Sequence, residues 1–160
     1  MDNKGFYTFY KYMGKEFNNL SASEEDYIEM IYRITFEDNK EARINDLATI
    51  LHVKPPSVTK MIKRLDTMGF VKYKKYGRVT LEEKGNIMGS FLLKRHEIIE
   101  KFLKLVVYEN GCDEEKILEE TEKIEHTISN EALKGIDNVV EFFSTNADVK
   151  KIYDEFREKV

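Results

Sequence analysis

Apolar positions along this 160-residue chain recur mostly at helical spacing. At about 100° per residue, positions three, four and seven apart share one face of a helix. Phe6, Phe9, Tyr10, Met13 and Phe17 follow that spacing and predict a short amphipathic helix or aromatic arm within residues 1–22, with Gly14 as its weak point. Ser23 stands three residues before Asp26, the arrangement of a capping box. It predicts a helix running to about Phe36 that turns Tyr27, Ile28, Ile31 and Ile34 inward. Residues 44–51 read as a short helix, His52-Val53-Lys54 as a turn, and residues 55–68 as a second helix. Proline suits a first helical turn because its missing N–H would be unpaired there anyway. Val58, Met61, Ile62 and Leu65 give this second helix an inner face, and Ser57, Thr59, Lys60, Lys63 and Arg64 are left for the outside.

After Gly69 the pattern changes. Two short β-prone runs, 70–73 and 79–81, flank Lys74-Lys75-Tyr76-Gly77-Arg78, so a hairpin with a basic tip follows the second helix. Helix, turn, helix and basic hairpin in that order are the signature of a winged helix-turn-helix. Residues 82–108 then predict a long helix apolar on two adjoining stripes, one through Ile87, Phe91, Ile98, Phe102 and Leu105, the other through Met88, Leu92, Ile99, Leu103 and Val106. Such a helix is buried by more than its own module. An acidic helix over 113–129, a helix over 131–143 and a last helical segment complete a bundle with enough apolar surface to dimerise. The expected fold is mainly α: an arm over 1–22, a winged helix-turn-helix domain over 23–82, and a helical domain over 83–160 whose first part, 83–110, is a linking helix.

Charge sharpens this division. Hydrophobic residues make up 41% of the chain and charged residues 35%, with a net charge of -4. Indiscriminate nucleic-acid binding is therefore not expected of the whole, but the average conceals two opposite modules. Lys54, Lys60, Lys63, Arg64, Lys72, Lys74, Lys75 and Arg78 face a single acid, Asp66, within residues 54–78. Residues 113–131 instead hold eight acids and two lysines. Hydroxyls and lysines at the exposed start of a helix are what a major-groove reader needs, for base edges and for phosphate. Candidate DNA contacts are Pro55, Pro56, Ser57, Thr59, Lys60 and Lys63 on the second helix, and Lys74, Lys75, Tyr76 and Arg78 at the wing. One cysteine, Cys112, excludes an internal disulfide and fits a reducing compartment. No apolar run approaches the roughly 20 residues that span a bilayer, so the cytoplasm is the expected location.

The acidic helix carries the most suggestive chemistry. Glu122, Glu125 and His126, at offsets 0, 3 and 4, project from one narrow face and could converge on an ion. A solvated acidic surface is the plain alternative. Asp26 and Glu29 also share a face, although a cap partner and a surface acid explain them as well; His96 lies in the long helix beside Glu97 and Glu100, where packing alone accounts for it. A two-metal carboxylate/histidine cluster could also activate water as a metallohydrolase does, but nothing in the sequence identifies the acid-base groups such an enzyme needs. A metal-independent winged-helix regulator whose acidic helix meets a protein partner is the other competing reading.

With these pieces in place the chain resembles the diphtheria-toxin-repressor family of metal-dependent transcriptional regulators, and within it the manganese transport regulator branch. The segments that carry the resemblance are E-D-Y-I-E-M-I-Y (25–32), P-P-S-V-T-K-M-I-K-R-L (55–65), R-H-E-I-I-E-K-F-L (95–103) and E-K-I-E-H (122–126). The resemblance implies metal ligands at Asp26, Glu29, His96, Glu122, Glu125 and His126, all of a coordinating type. The iron-responsive branch has methionine in place of Asp26 and cysteine in place of Glu122, and the oxygen donors here suit Mn(II) better than softer ions. Fe(II) and other divalent transition metals remain possible ligands. Two ions per subunit could be held if Glu122 and Glu125 bridge, and the family suggests such a pair. The implied protein is a homodimeric repressor on a palindromic operator controlling metal-uptake genes, with no membrane partner. The chain departs from the family in its longer aromatic arm and in ending without the SH3-like domain of the iron branch.

Overall fold

A computed structural model describes residues 20–107, 113–157 and Lys159. The aromatic stripe within residues 6–17 and Cys112 lie outside these. The chain divides into two units, Met1–Leu93 and Lys94–Val160.

In the first unit, helix α1 spans Ala22–Tyr32, and its cap differs from the one the sequence suggests. The capping box is Ser21 with Glu24, not Ser23 with Asp26. Ser21 donates its N–H and its hydroxyl to Glu24 Oε2 at 2.8 and 2.9 Å, and its hydroxyl accepts the Glu24 N–H at 3.3 Å. Both boxes have the same spacing, but only Ser21 takes the extended backbone (ψ 157°) that an N-cap requires. Asp26 thus lies one turn inside the helix with no capping duty. The helix also changes pitch before Phe36: Arg33–Glu37 form a π-turn, in which the Asp38 N–H reaches back five residues to the Arg33 carbonyl at 3.1 Å.

Strand β1 (Ala42–Arg43), helix α2 (Ile44–Ile50) and helix α3 (Pro55–Thr67) follow. The turn between the helices is closed by His52 at φ 53° and by the Val53 N–H on the Ala48 carbonyl at 3.0 Å. Strands β2 (Val71–Tyr73) and β3 (Arg78–Leu81) form the expected hairpin, joined through a 3-10 turn at Lys75–Gly77. The sheet has a third strand that sequence patterning did not reveal, in the order β1-β3-β2, all antiparallel, with Ala42 and Tyr73 both opposite Val79. Two residues are too few to show alternation.

Ile28, Ile31, Leu47, Val58, Ile62, Leu65, Phe70 and Met88 form this unit's core, each inaccessible to water. At about 1.5–3 kcal/mol per buried large side chain, these residues dominate its stability. Helix α4 (Glu83–Val106) packs its first turns unusually close. A Cβ at Gly85 would collide with the Phe70 carbonyl, and one at Gly89 would lie 2.5 Å from Tyr32 Cβ.

The second unit takes the rest of α4 and adds α5 (Glu114–Glu125), α6 (Asn130–Thr145) and α7 (Ala147–Arg157). Asp113 and Ser129 cap α5 and α6, accepting from the Glu115 and Ala132 N–H groups at 3.2 Å each. The acidic helix stops at Glu125 rather than near Ser129, because Ser129 turns extended (ψ 156°) to cap α6. Ile99, Ile117 and Leu133 are its most deeply buried apolar side chains. The Phe143 and Tyr153 rings, 5.2 Å apart, and Arg157 Nη1, donating to the Leu105 carbonyl at 2.8 Å, tie down α7. No described helix is long and apolar enough to cross a membrane.

Burial pushes the Glu24 carboxyl pKa upward, but the Ser21 hydrogen bonds and Arg64 outweigh it and hold the carboxyl below its ordinary value. A carboxyl depressed in the folded state stabilises fully above its unfolded pKa and loses that contribution as pH falls through the folded one. In urea denaturation, Ser21→Ala should therefore cost about 1 kcal/mol at neutral pH. Glu24→Gln should flatten the acid limb of the stability curve, and stability curves for mutant and wild type that stay parallel from neutral to acid pH would refute this role for Glu24.

Candidate metal centre and nucleic-acid interface

In the second unit, α4 and α5 bring four candidate ligands together. His96 Nδ1 lies 2.9 Å from Glu125 Oε2 and 3.8 Å from Glu122 Oε1, and His126 Nε2 lies 3.6 Å from Glu125 Oε1. Glu122, Glu125 and His126 each offer a ligand atom within 4.8 Å of the others. Periodicity accounts for Glu122 and Glu125, one turn apart on α5. His126, at the C-cap, keeps helical backbone angles (φ -81°, ψ -8°) and so stays on the same face after the helix has ended.

Glu125 is the centre of this group. It is 2% exposed, and the side chains set against it are the two imidazoles. The lysine within the same motif does not neutralise it: Lys123 reaches back to Glu119 and Glu120 at 2.8 and 3.0 Å. Those bonds raise the Lys123 pKa, and the bond from Lys123 lowers that of Glu119. A carboxylate out of water needs a compensating cation, and imidazoles as a class are largely neutral near pH 7. Clustered oxygen and nitrogen donors of this kind fit a divalent cation, and the absence of sulfur from the described cluster favours a harder one.

Asp26 and Glu29 lie on α1 in the first unit. Glu29 is buried rather than a surface acid, and its Oε1 accepts from Arg33 Nε and Nη2 at 2.9 and 2.7 Å. Sequence reading missed Arg33, although its i,i+4 spacing from Glu29 was there to be seen. It also missed the contact of Arg64 Nε with Glu24 Oε1 at 2.6 Å, between residues forty positions apart that no local pattern links.

The DNA-facing candidates lie on two elements of the first unit. On α3, Val58, Ile62 and Leu65 are buried, and Pro55, Pro56, Ser57, Lys60 and Lys63 are exposed. Thr59 is half-buried and donates its hydroxyl to the Pro55 carbonyl at 3.1 Å, which leaves it free only to accept. At the wing Lys74, Lys75, Tyr76 and Arg78 are exposed. Arg78 and Arg43 share Glu41, at 3.4 and 3.3 Å. Tyr76 is 91% exposed and stands in the left-handed region at φ 63°, followed by Gly77 at φ 74°. A ring held in strained backbone with almost no contacts of its own adds nothing to the core.

A basic helix-turn-helix with a wing in one unit, and a carboxylate/imidazole cluster in a separate helical unit, define the class: a winged-helix DNA-binding regulator. Comparison with known proteins gives the family. Residues 19–79 match the iron dependent repressor N-terminal DNA binding domain, and residues 82–154 match the iron dependent repressor metal binding and dimerisation domain. The chain belongs to this family of transcriptional regulators, which are not enzymes. It is 40% identical over 131 residues to the HTH-type transcriptional regulators MntR of Lysinibacillus sphaericus and of Bacillus subtilis, an overlap of 82% of this chain with 91% and 89% of theirs. Among solved structures it resembles the manganese regulator SloR, with a TM-score of 0.63 at 29% identity, and a manganese-dependent transcriptional repressor in complex with manganese, with 0.64 at 26%. The match takes in 74% of this chain but only 54% and 53% of those two, so the chain spans about half their length.

Relieving the strain at the wing should separate fold from function. Tyr76→Gly should raise unfolding free energy by about 0.5–1 kcal/mol, the left-handed penalty removed less the entropy glycine adds to the unfolded chain. Thermal denaturation checks this, and a lower melting temperature would refute the strain.

Proposed function

We propose that the protein is a homodimeric, Mn(II)-responsive transcriptional repressor that acts in the cytoplasm on a palindromic operator of metal-uptake genes. Glu125 is the observation that carries this reading, a buried carboxylate flanked by His96, His126 and Glu122 in a unit that matches a metal-binding domain. The ligand set would be Asp26, Glu29, His96, Glu122, Glu125 and His126, two ions per subunit if Glu122 and Glu125 bridge. The first two belong to the DNA-binding domain, proposed as 23–82, and the last three to the helical domain over 83–160, reached through the linking helix that bears His96. Bound Mn(II) would supply positive charge to four mutually repelling carboxylates. Two similar structures are of a manganese regulator and of a manganese-dependent repressor with manganese, and the all-oxygen-and-nitrogen donor set favours Mn(II) over Fe(II).

Neutralising acids from both domains would restrain one domain against the other. In a dimer that restraint sets the separation of two α3 helices, which must match half-sites about one helical turn apart or a multiple of it. A tenfold shift in operator affinity requires only about 1.4 kcal/mol of coupling, and DNA must tighten metal binding by the same factor. On the DNA side, Pro55, Pro56, Ser57, Thr59, Lys60 and Lys63 would line the major groove, and Lys74, Lys75, Tyr76 and Arg78 would meet the duplex at the wing.

A gel-shift titration of the metal-free protein with Mn(II), Fe(II) and Zn(II) tests the reading directly. Operator binding should rise at least tenfold with Mn(II), and metal-independent binding would overturn it. Glu125→Ala should abolish the response; a Glu125→Ala protein that still needs Mn(II) to bind would refute the site. With about eight phosphate contacts per dimer, log K should fall with log salt at a slope of roughly -7, and Lys60→Ala should make that slope shallower.

A further inference from the structure

Arg64 lies on α3 four residues beyond Lys60 and seven beyond Ser57, within about 40° of both around the helix. Its side chain is 67% exposed. By position it belongs to the cationic face that α3 would turn to DNA. Its guanidinium is nevertheless already engaged, with Nε 2.6 Å from Oε1 of Glu24.

Glu24 cannot readily let go. It is 1% exposed, and the Ser21 N–H and hydroxyl fix its other oxygen at 2.8 and 2.9 Å. Oε1 accepts no hydrogen bond of good geometry from a described group, so its compensation is the charge of Arg64. Were Arg64 to swing away, a buried carboxylate oxygen would be stranded without a cation, the costly arrangement for such a group. Were it to stay, the pair would present a phosphate with almost no net charge.

We propose that Glu24 withholds Arg64 from the DNA backbone, so that α3 offers phosphates only Lys60 and Lys63 and sequence-independent binding is kept weak. This rests on the reading of α3 as the DNA-facing helix. Non-specific affinity is set by how many phosphates are neutralised, because each contact releases counterions. A regulator finds its operator by the ratio of specific to non-specific binding rather than by affinity alone. A fixed carboxylate that cancels one cation on the reading helix lowers the denominator of that ratio. Glu24 is therefore a specificity-determining residue that need not touch DNA.

The test is the salt dependence of binding to a random-sequence duplex, measured by fluorescence anisotropy on the full chain with excess Mn(II). Glu24→Gln should free two guanidinium groups per dimer and steepen the log K against log salt slope by about 2. Non-specific affinity at low salt should rise at least tenfold. Arg64→Ala alone should leave the slope unchanged, and the double variant should return to the Arg64→Ala value. Ser21→Ala, which loosens the cap but spares the ion pair, should keep the wild-type slope and so separates charge release from local loosening. An Arg64→Ala slope shallower by about 2 would mean that Arg64 reaches phosphate despite Glu24, and would overturn the proposal. So would a Glu24→Gln slope identical to wild type. Failure of the underlying reading looks different: Lys60→Ala would then leave the slope untouched.

Discussion

A carboxylate removed from water must be given a cation or several hydrogen-bond donors, and three of the four buried carboxylates among the described residues show that requirement met differently. Glu24, at 1% exposure, has Ser21 and Arg64. Glu29, at 8%, has both faces of the Arg33 fork on one oxygen. Glu125, at 2%, has two imidazoles. The first two are closed by permanently charged guanidinium groups. The third is closed by groups whose charge is conditional, which suits it to an exchangeable cation, and Arg33 engages only Oε1 of Glu29, so its other oxygen is left for the proposed ion.

This contrast also orders the surface. In the first unit the guanidinium groups of Arg33 and Arg64 each meet a carboxylate, as does Arg78, the one arginine among the candidate DNA contacts, whereas the other cationic candidates, Lys60, Lys63, Lys74 and Lys75, are lysines. Arginine's planar fork suits fixed pairing, and lysine serves as a mobile point charge for phosphate. The division of labour between two basic residue types thus follows from what each must face. It reconciles a net charge of -4 with a DNA-binding domain.

Much of this was legible in the sequence because it rests on local periodicity. The order of helix, turn, proline-led helix and basic hairpin could be read from residues 44–81, and the one-face alignment of Glu122 with Glu125 from their spacing alone. What could not be read depended on choices between equal local signals or on distant contacts. Ser21 and Ser23 each stand three residues before an acid, and only the backbone at Ser21 settles which one caps. The short strand at Ala42–Arg43 exists because β3 pairs with it, and the burial of Glu29 depends on tertiary packing. His96 reads by spacing as an ordinary packed histidine, and the family resemblance alone marks it as a ligand; the fold sets it against Glu125.

The two close approaches at Gly85 and Gly89 have a mechanical meaning. Where a helix touches its neighbours through backbone, with the Phe70 carbonyl at one point and the Tyr32 side chain at the other, it has no compressible side-chain layer on which to glide. A screw advance of α4 by one residue, about 1.5 Å with a turn of about 100°, would drive the side chain of Asn86 or Ser90 into the space a glycine now leaves open. Its first two turns are keyed rather than greased. The start of α4 can tilt or turn only together with the winged unit, and a side chain at either glycine would have to force the helix off the seat it now shares with Phe70 and Tyr32.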